Sequence, residues 1–219
     1  MKKFIRHNSL SIVFLLLFLA ALAGQAFTGL KEHNKELAEK GAAGIDLARY
    51  LQSGHFLQAT FENWESEFLQ MALFVWLTIF LRQKGSSESK GFDGSEPVDR
   101  QPSARRKDVP WPVKKGGIWL GLYKHSLTIS FVFLFIASFA LHIYGSITDE
   151  NLHRLLDGEP PETLNEYLCS SRLWFESFQN WQSEFLSVFA IVLMSVYLRQ
   201  IGSSQSKPVD APHSETGTE

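Results

Sequence analysis

Two stretches of this chain, residues 9–30 and 126–148, contain no Asp, Glu, Lys or Arg. Runs of that length constrain the fold more than any motif. About 20 predominantly apolar residues in helical form cover the ~30 Å hydrocarbon core of a bilayer, where every backbone polar group must bond within the chain. The averages over 219 residues, 45% hydrophobic and 20% charged, would suit a soluble protein, but the segregation of charge argues against one. A net charge of -2 gives no footing for a polyelectrolyte, so no nucleic-acid partner is expected. Cys169 alone cannot form an intrachain disulfide.

The chain is also one pattern written twice. An ungapped shift of 117 residues aligns Phe61, Asn63, Trp64, Ser66, Glu67, Phe68 and Leu69 with Phe178, Asn180, Trp181, Ser183, Glu184, Phe185 and Leu186. The same shift aligns Leu81-Arg82-Gln83 and Gly85-Ser86-Ser87 with Leu198-Arg199-Gln200 and Gly202-Ser203-Ser204, and Tyr50-Leu51 with Tyr167-Leu168. From Phe61 to Lys90, 16 of 30 positions are identical. Two unrelated apolar segments would share Leu and Phe, but not an ordered N-W-x-S-E-F-L followed by L-R-Q-x-G-S-S.

Each copy supplies a long apolar segment and a shorter one. The predicted spans are 10–30 and 61–81 in the first copy, 126–147 and 178–198 in the second. The shorter segments reach bilayer thickness only if they start at Phe61 and Phe178, which puts Trp64 and Trp181 in the interfacial aromatic belt. The first segment has the basic start and the Ala21-Leu22-Ala23 sequence of a signal peptide. Its repeat partner lies mid-chain, so both are expected to be retained as spans.

Of the 21 Lys and Arg, 15 fall in the tails and central linker and 6 in the two hairpin loops. Basic residues near span ends stay in the cytoplasm, so both termini and the linker are predicted inside. The expected layout is a cytoplasmic N-terminus (1–9), a first two-helix repeat (10–90), a flexible linker (91–116) rich in Gly, Ser, Pro and charge, a second repeat (117–207) and a disordered cytoplasmic tail (208–219). An even number of spans per copy makes the repeats parallel. The predicted fold class is therefore all-α, an integral membrane four-helix bundle of two parallel hairpins.

The duplicated N-W-x-S-E-F motif carries the candidate site. At helical spacing Asn63, Glu67 and Gln70 share a face, and the second copy keeps its polarity with Asn180, Glu184 and Ser187. Glu62 and Glu65 become Gln179 and Gln182, so only Glu67 and Glu184 are acidic in both halves. An ionisable group inside a span marks a functional site by default. The competing reading is an interfacial carboxylate in the first helical turn, where the macrodipole favours negative charge. Trp64, Trp181, Arg82 and Arg199 are expected as interfacial anchors, the arginines snorkelling to headgroups, and Gly85 and Gly202 as helix-stopping C′ residues. His55 and His142 lie near the same side, but their counterparts are Arg172 and Gln25, so no haem ligand pair is duplicated. No catalytic, cofactor or metal motif stands out.

At Ser53-Gly54-His55-Phe56-Leu57, Phe61-Glu62-Asn63-Trp64-Glu65-Ser66-Glu67-Phe68-Leu69-Gln70 and Leu81-Arg82-Gln83-Lys84-Gly85-Ser86-Ser87, the sequence resembles an uncharacterised family of small bacterial membrane proteins. The resemblance implies a multi-pass protein of the bacterial inner membrane and carries over no catalytic residue. Two functions are expected. One is a non-enzymatic structural, assembly or envelope-associated component, with membrane lipids and a second copy or another membrane protein as partners. The other is a small proton-coupled transporter or channel using Glu67 and Glu184.

Overall fold

The structure, a computed structural model, describes residues 2–217. It is 67% helix, and no strand occurs among the described residues, so the chain is all-α. The helices are α1 (Lys2–His7), α2 (Ser9–Glu39), α3 (Leu47–Tyr50), α4 (Gly54–Leu77), α5 (Trp111–Lys115), α6 (Gly117–Lys124), α7 (Ser126–Leu156), α8 (Leu164–Leu168) and α9 (Ser171–Tyr197). Helices α2 and α7 are long and apolar enough to cross a membrane.

All four long helices exceed or shift the expected spans, and the causes are local. Beyond Leu30, α2 continues to Glu39 because Lys35 lies 3.3 Å from Glu32 and 4.0 Å from Glu39, pairs at helical spacing. Beyond Ile147, α7 runs on to Leu156 with Asp149 facing His153 and Glu150 facing Arg154 in the same way. Gly41 (φ 73°) and Gly158 (φ 76°) end the two helices. In the first of these turns Ala42 N–H donates to the Leu37 carbonyl and Gly41 N–H to Ala38, the paired bonds of a Schellman motif. Helices α4 and α9 begin about two turns (~3.6 residues each) before Phe61 and Phe178. The Ser53 hydroxyl accepts the Phe56 N–H at 3.2 Å, and the Ser170 hydroxyl accepts the Leu173 N–H at 3.5 Å. This register puts Glu67 and Glu184 well past the first turn, which removes the helix-start account of those acids.

The chain packs as two compact units, Met1–Glu62 with Phe139–Trp174, and Asn63–Ser138 with Phe175–Glu219. Each unit takes chain from both repeats. In the first unit Tyr50 and Tyr167 are completely buried. Helices α4 and α7 meet there almost backbone to backbone: a Cβ on Gly54 would lie 2.6 Å from the Gly145 carbonyl oxygen, and one on Gly145 would lie 2.8 Å from Leu57 Cβ. In the second unit Glu65, Ser66, Ser86 and Ser177 are buried, with Ala72 and Val196.

The distribution of polarity is inverted relative to a soluble core. Buried side chains are largely Ser, His, Thr and acids, while Leu10 and Phe133 are 72% and 69% exposed. Only 6% of the most apolar 18-residue window of α2 is buried, and 11% of that of α7.

The glycine crossing generates a stability prediction. Gly54→Ala and Gly145→Ala should each destabilise the protein by about 1–3 kcal/mol, because the clashing atoms include backbone that cannot rotate away. Gly121→Ala, where nothing lies within 4 Å of an added Cβ, should be neutral or stabilising. Thermal unfolding of the three variants in one detergent checks the contrast.

Candidate functional site

In the second unit a seam of polar side chains joins α4 to α9. The Gln70 amide donates to Ser187 Oγ at 3.0 Å and to the Glu184 carbonyl at 3.4 Å. The Glu67 and Glu184 carboxyls lie close enough to interact electrostatically. Glu67 is exposed and Glu184 half-buried. Further along, Ser86 Oγ and Ser195 Oγ are 2.9 Å apart, and the Ser87 N–H reaches Ser195 Oγ at 3.3 Å. Of the six residues expected to form a polar site, the structure brings Glu67, Gln70, Glu184 and Ser187 together. Asn180 instead turns its amide onto the Glu176 carbonyl one turn back, at 3.0 Å, and Asn63 is exposed.

Glu65, set aside because the second copy has Gln182, is the completely buried acid of the motif. The Trp181 indole N–H donates to its Oε1 at 3.3 Å, and the Trp181 ring meets Phe178 and Phe135 edge-on. This tryptophan is therefore engaged between helices, with its N–H turned to a carboxylate where headgroup water was expected. Trp64 is half-buried.

The arginines turn to the backbone. Arg82 Nη1 donates to the Thr78, Ile79 and Leu81 carbonyls, and Arg199 Nη1 to those of Ser195, Val196 and Leu198. Both fold back to cover carbonyls left open at a helix end, where a cation is favoured by the macrodipole. Gly85 and Gly202 do have positive φ, 85° and 82°, but they lie in the turns beyond the helices and are not C′ residues. The tail, expected to be disordered, is tied down as far as Gly217. Lys207 Nζ donates to the Pro212, His213 and Glu215 carbonyls at 3.1, 3.3 and 2.7 Å, and Gly217 N–H bonds the Ser86 carbonyl at 3.0 Å. Residues 218 and 219 of that segment lie outside the described residues.

A cleft of about 450 Å3 lies beside the seam, walled chiefly by Leu73, Phe74, Leu77, Phe185, Val188 and Phe189, with Gln70 at one side and Arg82 and Glu88 also on its lining. Neither Glu67 nor Glu184 is among the residues that line it.

The first unit holds a second cluster. His33 is 1% exposed, Asp149 5% and Tyr50 not at all. The His33 and His55 rings lie 4.9 Å apart, and the Tyr50 hydroxyl is 3.0 Å from His55 Nδ1. One ligand atom each from His33, Glu36 and His55 falls within 4.8 Å of the others, a set that could hold a metal ion. These residues lie outside the apolar stretches 10–30 and 126–147. Burial, followed by the negative charges of Asp149 and Glu36, pushes the Tyr50 phenol up to about 12. Burial lowers His33 from the usual histidine range, and His55 adds to that.

Requiring a ligand pair to recur in both copies set His55 aside, since its counterpart is Arg172, and His33, whose counterpart is Glu150, was not singled out. The signal available in the sequence was Tyr50 itself, identical to Tyr167, together with the i, i+3 pair His33 and Glu36.

A family described as a domain of unknown function, DUF6766, matches residues 1–218. The chain belongs to that family. No curated protein and no solved structure matches it. The motifs that carried the resemblance to an uncharacterised family thus fall within a DUF6766 match spanning nearly the whole chain, and family membership assigns no activity to the seam or the histidine cluster.

The seam can be tested by its coupling. Gln70→Ala and Ser187→Ala should each destabilise this DUF6766 protein by about 0.5–1.5 kcal/mol. The double variant should cost less than their sum, because both remove the same bond. Strict additivity in chemical unfolding would show that the two side chains do not interact.

Proposed function

We propose that the chain is a non-enzymatic, multi-pass protein of the bacterial inner membrane, a structural, assembly or envelope-associated component that acts through helix contacts. The observation that carries the reading is the inverted polarity: large apolar side chains on α2 and α7 point outward, and hydroxyl, imidazole and carboxyl groups are buried. In lipid, apolar contact gives helices no preference for each other over acyl chains, so association depends on close backbone packing and interhelical hydrogen bonds. The Gly54–Gly145 crossing and the Gln70–Ser187 bond are of those two kinds.

In this reading α4 and α9 are spans two and four, giving a four-helix bundle of two parallel hairpins related by an axis along the membrane normal. Contacts between equivalent residues support it, since a residue near such an axis meets its own counterpart. Gln70 with Ser187 and Lys40 with Asp157 are both separated by 117 positions, and Glu67 with Glu184 follows the same offset. The internal bonds are duplicated too: Asn34 exchanges two hydrogen bonds with the Ile45 backbone, and Asn151 exchanges the same two with Glu162. The split of basic residues supports cytoplasmic termini and linker, with membrane lipids and a second copy or another membrane protein as partners. A reporter fused after Arg100 should then read cytoplasmic, and a periplasmic signal there would refute the orientation.

The second reading, a proton-coupled transporter or channel, is favoured by one observation, the closeness of Glu67 to Glu184. Against it stands the adjoining cleft, whose lining includes neither carboxylate. Proteoliposomes loaded with a pH-sensitive dye decide between the two. The structural reading expects proton flux equal to that of empty vesicles, and a less stable Glu67→Gln/Glu184→Gln double variant. Flux that the double variant lowers tenfold or more would establish the transport reading instead.

A further inference from the structure

Among the described residues, the buried side-chain atoms of the first unit with no hydrogen-bond partner include His33 Nδ1 and Asp149 Oδ1. Leaving such groups unbonded in a buried site is costly. Both belong to one cluster, in which Glu36, His55, Asp149 and His153 all lie within electrostatic reach of His33. His33 Nδ1 is 3.9 Å from Glu36 Oε2, and His153 Nε2 is 3.8 Å from Asp149 Oδ2, beyond hydrogen-bonding range.

We propose that His33, Glu36 and His55 bind a single divalent transition-metal ion of the zinc class, with Asp149 supplying the adjoining negative charge. Two imidazoles and a carboxylate are an established donor set for Zn2+. The donors sit on rigid supports, His33 and Glu36 one turn apart on α2 and His55 in the first turn of α4. Their ligand atoms lie within 4.8 Å of one another. Bonds of ~2.0–2.2 Å in a tetrahedral site hold ligands about 3.3 Å apart, so side-chain rotation, chiefly of half-buried Glu36, closes the set. The orienting residue is in place as well. Tyr50, completely buried, meets His55 Nδ1 at 3.0 Å, which fixes the imidazole and directs its Nε2 to the ion. Glu36 and Asp149 set acidic groups beside the imidazoles, which suits a cation.

The second copy gives independent support. At the repeat offset His33, Glu36 and His55 become Glu150, His153 and Arg172. There Arg172 Nη1 bonds Glu150 Oε2, and Arg172 Nη2 reaches Gln58 at 3.5 Å. A guanidinium, permanently charged and covalently fixed, stands at the position where the first copy has an imidazole. One half thus carries its cation on a side chain, and the other takes it from solution. This inference does not depend on the membrane orientation.

The test is titration of the tag-free protein in detergent micelles with Zn2+ by calorimetry and with Co2+ by visible absorption. The expected result is one ion per chain and an intense four-coordinate Co2+ spectrum. His33→Ala and His55→Gln should each weaken Zn2+ binding by about 100-fold or more, and Tyr50→Phe by about 10-fold, as expected for loss of an orienting partner. His125→Ala, remote from the cluster, should bind as the unaltered chain does. The proposal is overturned if the unaltered protein binds no stoichiometric Zn2+, or if the His33 and His55 variants bind it equally well. Should those variants fail to fold, the Co2+ spectrum of the unaltered chain decides alone: a weak six-coordinate spectrum like that of the aqueous ion overturns it.

Discussion

Polar groups taken out of water must find partners, and in this protein they find them chiefly in one another. The requirement explains the architecture better than any apolar core does, because the buried side chains are largely serine, histidine, threonine and acids. The glutamine of α4 bonds the serine of α9, the tryptophan of α9 bonds the buried acid of α4, and two arginines close their own helix ends. Even Lys207, 2% exposed, has its ammonium surrounded by three carbonyls of the chain that follows it. An unpartnered buried donor or acceptor costs about 1–3 kcal/mol, so each of these bonds specifies where its element must sit.

That principle also decides which features could be read in advance. The existence and type of the long helices follow from the uncharged runs and the repeat, and the structure agrees that the chain is all-α. Their limits depended on residues that composition does not weigh: serines at 53 and 170 that cap α4 and α9, and charged pairs at one-turn spacing that prolong α2 and α7. The tail follows the same principle: Ser, Thr and Pro suggest disorder, and Lys207, shielded from water, gathers the carbonyls of Pro212, His213 and Glu215.

The site shows the strength and the cost of arguing from a duplication. Glu67 and Glu184 stood out because both copies keep them, and they do meet. Glu65 was set aside because its counterpart is Gln182, yet it is among the most buried polar side chains in the molecule, as is His33. Recurrence keeps groups at which the two copies approach each other, as at Glu67 and Glu184, and discards groups whose surroundings differ between the copies, as at His33.

The glycine crossing sets the two copies apart. Gly54 and Gly145 correspond at the repeat offset to Ser171 and Thr28, residues with side chains that forbid an equally close approach. The close approach at Gly54 and Gly145 is therefore one that Ser171 and Thr28 cannot repeat, and a methyl group added at either glycine would be felt where extra bulk at its counterpart would not.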